Sequence, residues 1–162
     1  MSVIVSRHKC ILLHVDACED STAQAAQTDI VIHVAKIAKC PVQIFKKKWV
    51  QSSDIADLFD AVKRLNVLGD RNVLLLSGTY LEDQITLCTL EALAIGYDVH
   101  LLCDVIMAHD TRHEAILKLR LFQAGAVPTS FRQMLYMWHA AETDLVMAKS
   151  LLELLTQCDA IK

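Results

Sequence analysis

The chain has few residues that interrupt regular structure, with four glycines and two prolines among 162 residues. It shows no linker, no low-complexity segment and no internal repeat. No apolar run reaches the roughly 20 residues needed to cross a bilayer. Residues 1–9 also lack the basic segment and apolar segment of a secretory signal. We therefore expect a single domain over residues 1–162, with no membrane span and no signal peptide.

The cysteines lack the paired spacing of a disulfide framework or a zinc site. No CxxC pair occurs among Cys10, Cys18, Cys40, Cys88, Cys103 and Cys158. His109 and His113 stand four residues apart, but two donors without a third ligand do not make a metal site. The sequence thus predicts reduced thiols in an intracellular compartment, cytoplasmic or mitochondrial, with no metal and no cofactor.

Neither charge sign dominates the chain. The formal net charge is −3, and the acidic and basic residues are spread along the sequence. The one basic run, residues 46–48, is too short to indicate binding to nucleic acid or to an anionic membrane. Hydrophobic residues make up 54% of the chain, above the usual share for a soluble domain. Because large apolar patches are rarely left bare, we expect a homo-oligomer.

Apolar runs of strand length alternate with helical patterns along the whole chain. The strand candidates are residues 9–15, 42–45, 72–77, 99–103 and 126–129. The helical patterns are residues 22–38, 54–65, 82–95, 111–124, a buried-face segment from 131, and 142–156. Ser53 is the expected N-cap of the second helix, and Gly96 and Gly125 are expected to end the third and fourth. This alternation predicts a doubly wound, three-layer α/β/α fold with a mostly parallel sheet.

In such folds, ligands bind beyond the carboxyl ends of the strands. The residues just past the predicted strand ends are Asp16, 46–49, 78–84 and 104–110, with Gly78 ending the third strand and Asp104 closing the fourth. We expect any functional site to come from this set.

Two segments resemble a known family. Residues 72–103, NVLLLSGTYLEDQITLCTLEALAIGYDVHLLC, resemble the strand–glycine–helix–glycine–strand core of the isochorismatase-like cysteine hydrolases. The matching positions are Gly78, Ile85, Ala92, Gly96, Tyr97 and Asp104. Downstream, LRLFQAGAVPTSFRQMLY resembles the family's QAGA segment with its following helix, and upstream ILLHVDACED resembles the strand that carries the catalytic aspartate. The chain is most similar to the eukaryotic isochorismatase-domain subgroup, which implies a Rossmann-like topology.

The resemblance implies hydrolysis of an amide or vinyl-ether-type bond in a small molecule. In that family an aspartate deprotonates, a lysine stabilises charge, and a cysteine at a helix N-terminus attacks. Asp16 matches the aspartate. Lys46 is the favoured lysine, but the stretch 42–78 is shortened, so Lys47 and Lys48 stay open. No Asp-x-His arrangement follows the second strand, so the metal site of nicotinamidase-type members is not expected.

The sequence departs from the family at the nucleophile. Six residues after Gly78 that position holds Gln84, and Leu81 replaces a small hydroxyl residue. An amide side chain cannot be activated for attack. Gln84 is expected to donate either to a neighbouring backbone group or to a bound ligand. We therefore expect a divergent member without the usual activity, which binds a small molecule or acts through assembly. The alternative is a working hydrolase that uses Cys18 or Cys88 as a displaced nucleophile.

Overall fold

The described part of the chain forms five strands and six α-helices. The computed structural model describes residues 4–16, 22–47, 49–79 and 81–160, with backbone only for 22–28. The strands are β1 (Cys10–Val15), β2 (Val42–Phe45), β3 (Val73–Thr79), β4 (Asp98–Met107) and β5 (Val127–Thr129). The helices are α1 (Thr22–Ile37), α2 (Ser52–Leu65), α3 (Thr86–Ala94), α4 (Thr111–Gln123), α5 (Phe131–Ala141) and α6 (Leu145–Ala160). Among these helices, none has both the length and the apolar character that crossing a bilayer requires.

The strands form one parallel sheet in the order β2-β1-β3-β4-β5. The chain therefore leaves β1 in one direction to form β2 and then returns past β1 to form β3. Such a reversal marks the switch point of a doubly wound sheet, and ligands bind beside it at the carboxyl ends. The predicted three-layer α/β/α architecture is confirmed.

Each face of the sheet has its own apolar core. Alternate residues of a strand point to opposite faces, so Ile11 and Leu13 of β1 pack against α2, α3 and α4. Cys10 and Leu12 pack on the other face, with α1, α5 and α6. Since both faces are covered, the strands are continuously apolar, as in parallel sheets generally.

The helix ends follow local hydrogen-bonding rules, with one exception. Gly96 has a φ of 95° and ends α3, while the Tyr97 backbone N–H donates to the Ala92 carbonyl as in a Schellman motif. The expectation that Ser53 caps α2 is wrong: the helix begins at Ser52 after Gln51. The Asp54 carboxylate accepts a hydrogen bond from the Gln51 backbone N–H (2.9 Å), which fixes the earlier start.

β3 and β4 run past their predicted ends. Gly78 lies inside β3 instead of ending it, with a φ of 127°. Asp104 lies inside β4, where four residues between Leu101 and Ile106 stand opposite one residue of β3. This bulge interrupts the pattern of the strand, and pairing resumes beyond it. The Asp104 carboxylate accepts a hydrogen bond from the Phe131 backbone N–H at the start of α5 (2.8 Å).

Two histidines are buried in the sheet, each beside a hydroxyl group. His14 Nδ1 lies 2.8 Å from Ser77 Oγ, and His100 Nδ1 lies 2.9 Å from Thr129 Oγ1. Burial lowers the pKa of both imidazoles; for His14 the carboxylate of Asp16 opposes this effect. His14 Nε2 is buried without a hydrogen-bond partner among the described residues. Both rings are therefore neutral in the folded chain at neutral pH.

Gly78→Ala should strongly destabilise the fold. A Cβ at this position would lie 1.9 Å from the Val15 carbonyl oxygen, so either β1 or β3 would have to move. We expect a loss of about 3 kcal/mol or more in the free energy of unfolding, measured by urea denaturation. Gly69→Ala is the matched control, since Gly69 also has a positive φ but nothing lies within 4 Å of the added Cβ. Its expected loss is roughly 1 kcal/mol; equal losses for the two variants would contradict the steric explanation.

Acid should destabilise the fold through His14 and His100. Their pKa values are lowered in the folded chain, whereas an unfolded histidine titrates near 6.5, at about its unperturbed value. Below that pH the unfolded chain binds protons that the folded chain excludes, so stability falls as pH falls. We expect a lower Tm at pH 5.5 than at pH 7.5. The variants His14→Gln and His100→Gln should each show a smaller pH dependence; an unchanged dependence in both would rule out these histidines as its cause.

Candidate functional site

Asp16 and Lys46 meet at the carboxyl edge of the sheet. Each follows the last residue of its strand, β1 or β2, and the two strands are neighbours. The Asp16 backbone N–H donates to the Phe45 carbonyl (2.9 Å), which extends the pairing to the edge. Lys46 Nζ then lies 3.4 Å from Asp16 Oδ2. The edge thus presents a carboxylate and an ammonium group side by side.

Lys47 points to a different partner. Its ammonium group forms an ion pair with the Asp54 carboxylate in the first turn of α2. The hydrogen bond from Lys47, followed by that from the Gln51 backbone, lowers the pKa of Asp54. Lys48 lies outside the described residues. Among the described lysines of this run, the structure therefore brings Lys46, not Lys47, to Asp16.

Gln84 lies in a turn of π-helix, Leu81–Ile85, that leads into α3. Only 1% of its surface is exposed. Its Nε2 donates a hydrogen bond to the Lys47 backbone carbonyl (2.9 Å). The side chain therefore fastens the segment after β2 to the start of α3, one of the two contacts expected for it. Leu81 is fully buried in the core of the same face.

The described cysteines are poor nucleophiles. Cys88 is fully buried one turn after Gln84, and burial raises the pKa of its thiol to about 12. Burial also raises the pKa of Cys10 and Cys40 to about 12. Cys18 lies outside the described residues. Cys18 and Cys88 are the two displaced nucleophiles considered from the sequence. The structure describes only Cys88, which is a core residue.

Glu82 ties the π-helical turn to the segment that follows β4. Its carboxylate accepts hydrogen bonds from the backbone N–H groups of His109 (2.8 Å) and Asp110 (2.7 Å). Burial alone would raise the pKa of Glu82, but the hydrogen bonds from these two N–H groups outweigh it and lower the pKa. Among the described residues, no group of three or more acidic, histidine or cysteine side chains could hold a metal ion.

Two of these interactions were missed from the sequence. The pattern around Glu82 indicates only the start of a helix. It does not show that the carboxylate accepts hydrogen bonds from backbone N–H groups 27 and 28 residues later. His14 did leave a signal, as a polar residue inside an apolar run. Because β1 and β3 pair in register, the ring lies beside Ser77. His14 precedes Asp16 by two residues, so the His14–Ser77 pair lies next to the carboxyl edge, and the Asp16 carboxylate acts on the His14 ring.

Asp16 and Lys46 can both contact a ligand at this edge, and the position that the resemblance assigns to the nucleophile holds the amide of Gln84. Asp16 can accept a proton or a hydrogen bond, and Lys46 can hold an anionic group. Lys46 is 70% exposed and Asp16 28%, so their ion pair contributes at most about 1 kcal/mol to stability.

Comparison with known proteins identifies the fold. No family model and no curated protein matches the sequence. Solved structures do match, among them the MAR1 ribonuclease of Caenorhabditis elegans, with a TM-score of 0.71 and 14% identity over 94% of this chain and 92% of that one. The YcaC protein of Escherichia coli, described as an octameric hydrolase of unknown specificity, matches with a TM-score of 0.68 and 16% identity over 100% and 99%.

A third match is a cysteine hydrolase from Pseudomonas syringae pv. phaseolicola, with a TM-score of 0.65 and 12% identity over 87% of this chain and 97% of that one. These identities establish shared architecture and not shared chemistry. The architecture agrees with the resemblance seen in the sequence around Gly78 and Gly96. The chain has the fold of the isochorismatase-like cysteine hydrolases.

Proposed function

We propose that this chain is a divergent isochorismatase-like protein that lacks the usual cysteine-hydrolase activity and works through small-molecule binding or assembly. The observation that carries the proposal is the position of Gln84. Its side chain is buried and donates to the Lys47 carbonyl. The Gln84 amide therefore connects two segments of the chain at the position where the resemblance places the attacking thiol.

The physical basis is the loss of the attacking atom. Covalent catalysis needs a side chain that can be deprotonated or activated by a base, and an amide offers neither. Asp16 and Lys46 retain the means to orient a ligand. Binding without turnover is therefore the behaviour that these three residues favour together.

The alternative is an active hydrolase of a small amide or vinyl-ether-type substrate. It needs a thiolate near Asp16, and Cys88 is a poor candidate because burial keeps its thiol protonated. The alternative then depends on Cys18, which follows Asp16 by two residues in the sequence.

Assembly is the second part of the proposal. Helices α3 and α4 contact each other, and they expose Leu87 (47%), Ile116 (68%) and Leu119 (56%). Apolar side chains exposed on adjoining helices are typical of a surface that another protein covers. A protein with this fold, E. coli YcaC, is described as octameric. We infer that this chain forms a homo-oligomer through α3 and α4.

The proposal predicts no turnover that depends on Asp16. A panel of small amides at pH 7.5 should be hydrolysed no faster by the wild-type chain than by Asp16→Asn or by the control Asp60→Asn, an exposed carboxylate outside the site. Cys10, Cys40 and Cys88 should resist alkylation until the chain is denatured, because a pKa of about 12 leaves less than about 1 in 10⁴ thiols ionised at that pH. Turnover that is lost in both Asp16→Asn and Cys18→Ser would overturn the proposal in favour of the alternative.

The proposed assembly predicts a mass well above the 18.1 kDa of one chain. Light scattering should show a lower mass, closer to that of the monomer, for the double variant Ile116→Lys, Leu119→Lys. The reason is that two ammonium groups would have to be buried in an apolar interface. Leu68→Lys is the control, since Leu68 is also exposed but lies in the turn between α2 and β3. A monomeric wild-type chain would refute the assembly, and an oligomer unaffected by the double variant would refute this interface.

A further inference from the structure

A cleft opens between α1 and α6, on the face of the sheet opposite α3. Its volume is about 530 Å³, within the range of small-molecule sites, roughly 300–1,000 Å³. Both helices belong to the apolar layer that also contains α5, whereas Gln84 precedes α3 on the other face. Neither Asp16 nor Lys46 lines the cleft.

The bottom of the cleft is apolar. Val34 of α1 and Leu154 of α6 are 3% and 9% exposed, and both belong to the core of this face. Ile30, one turn before Val34, is 48% exposed and forms part of the lining. A ligand resting here would contact aliphatic side chains from two helices, which favours an aromatic or alicyclic body.

The polar lining favours an anion at one end. His33, Lys36 and Gln157 are exposed lining residues that can each donate a hydrogen bond. Among the described lining residues, Asp29 is the one carboxylate, and it precedes Lys36 by seven residues on α1. This separation is about 10 Å along the helix at 1.5 Å per residue. A carboxylate on the ligand would be attracted by Lys36 and repelled by Asp29, which sets its direction.

We propose that the cleft between α1 and α6 binds a small carboxylic acid with an aromatic or alicyclic body. The body lies on Val34 and Leu154, and the carboxylate faces Lys36. This inference goes beyond the proposed function, because it adds a second binding site and its ligand class to the site at the carboxyl edge. No covalent step is involved.

The test uses 2-naphthoate and its neutral analogue 2-naphthamide with the full chain, followed by fluorescence titration. We expect saturable binding of naphthoate, and binding of naphthamide at least about 10-fold weaker, corresponding to about 1.4 kcal/mol. Lys36→Gln should weaken naphthoate binding by roughly 5-fold and leave naphthamide unchanged. Lys149→Gln is the control on α6, because Lys149 is exposed and outside the lining.

Two variants fill the cleft. Leu154→Phe enlarges a buried lining residue, and Ile30→Trp enlarges an exposed one, so the second tests the site if the first impairs folding. Both should reduce naphthoate binding at least 10-fold, whereas Leu152→Phe, on an exposed part of α6 outside the lining, should not. Equal binding in Ile30→Trp and wild type would overturn the proposal. The absence of saturable binding would also overturn it. Displacement of the probe when the chain self-associates would overturn it as well, because a second copy of the chain would then occupy the cleft.

Failure here is distinguishable from failure of the proposed function. Asp16→Asn should leave naphthoate binding unchanged, and a loss of binding in that variant would place the ligand at the carboxyl edge and overturn the cleft assignment. Hydrolysis that depends on Asp16 is measured separately. Such hydrolysis would contradict the proposed lack of hydrolase activity, whereas the naphthoate titration would still show binding in the cleft.

Discussion

The close approach of β1 and β3 at their carboxyl ends is the constraint on which the candidate site depends. Gly78 lies so near β1 that a Cβ there would come within 1.9 Å of the Val15 carbonyl oxygen. With no side chain between the strands, Asp16 leaves β1 directly beside the end of β3. Lys46 reaches the same place from β2, on the other side of β1. The absence of a side chain at Gly78 thus lets Asp16 and Lys46, which follow β1 and β2, meet beside the end of β3.

Within that area, Gln84 has the role of a connector. Its amide reaches the Lys47 carbonyl, next to the residue whose ammonium group meets Asp16. Lys47 in turn holds the first turn of α2 through Asp54. A cysteine has a shorter side chain and a weak S–H donor, so it would make a poorer tie at this position. In this structure the amide of Gln84 therefore connects the segment after β2 to the turn that leads into α3.

The sequence predicted the order of strands and helices because periodicity and the glycines at positions 96 and 125 are local signals. It also brought Asp16 and the lysine run to one edge, since parallel strands end together. It favoured Lys46 but could not exclude Lys47, because the partner of Lys47 is Asp54 in α2, which the local pattern does not show. The β4 bulge, the π-helical turn and the Glu82 contacts were not predictable either. Each arises from pairing between segments distant in the chain, which a pattern read along one segment does not contain.

The fold and the reaction are separable in this chain for a physical reason. The sheet is held by two apolar cores, and the cysteines buried in them (Cys10, Cys40 and Cys88) behave as small hydrophobic residues with raised pKa values. The Asp16–Lys46 pair contributes little to that stability, since its Lys46 side chain is largely exposed. Residues at the edge can therefore change with little effect on the two cores that hold the sheet, so conservation of the architecture does not carry conservation of the chemistry with it.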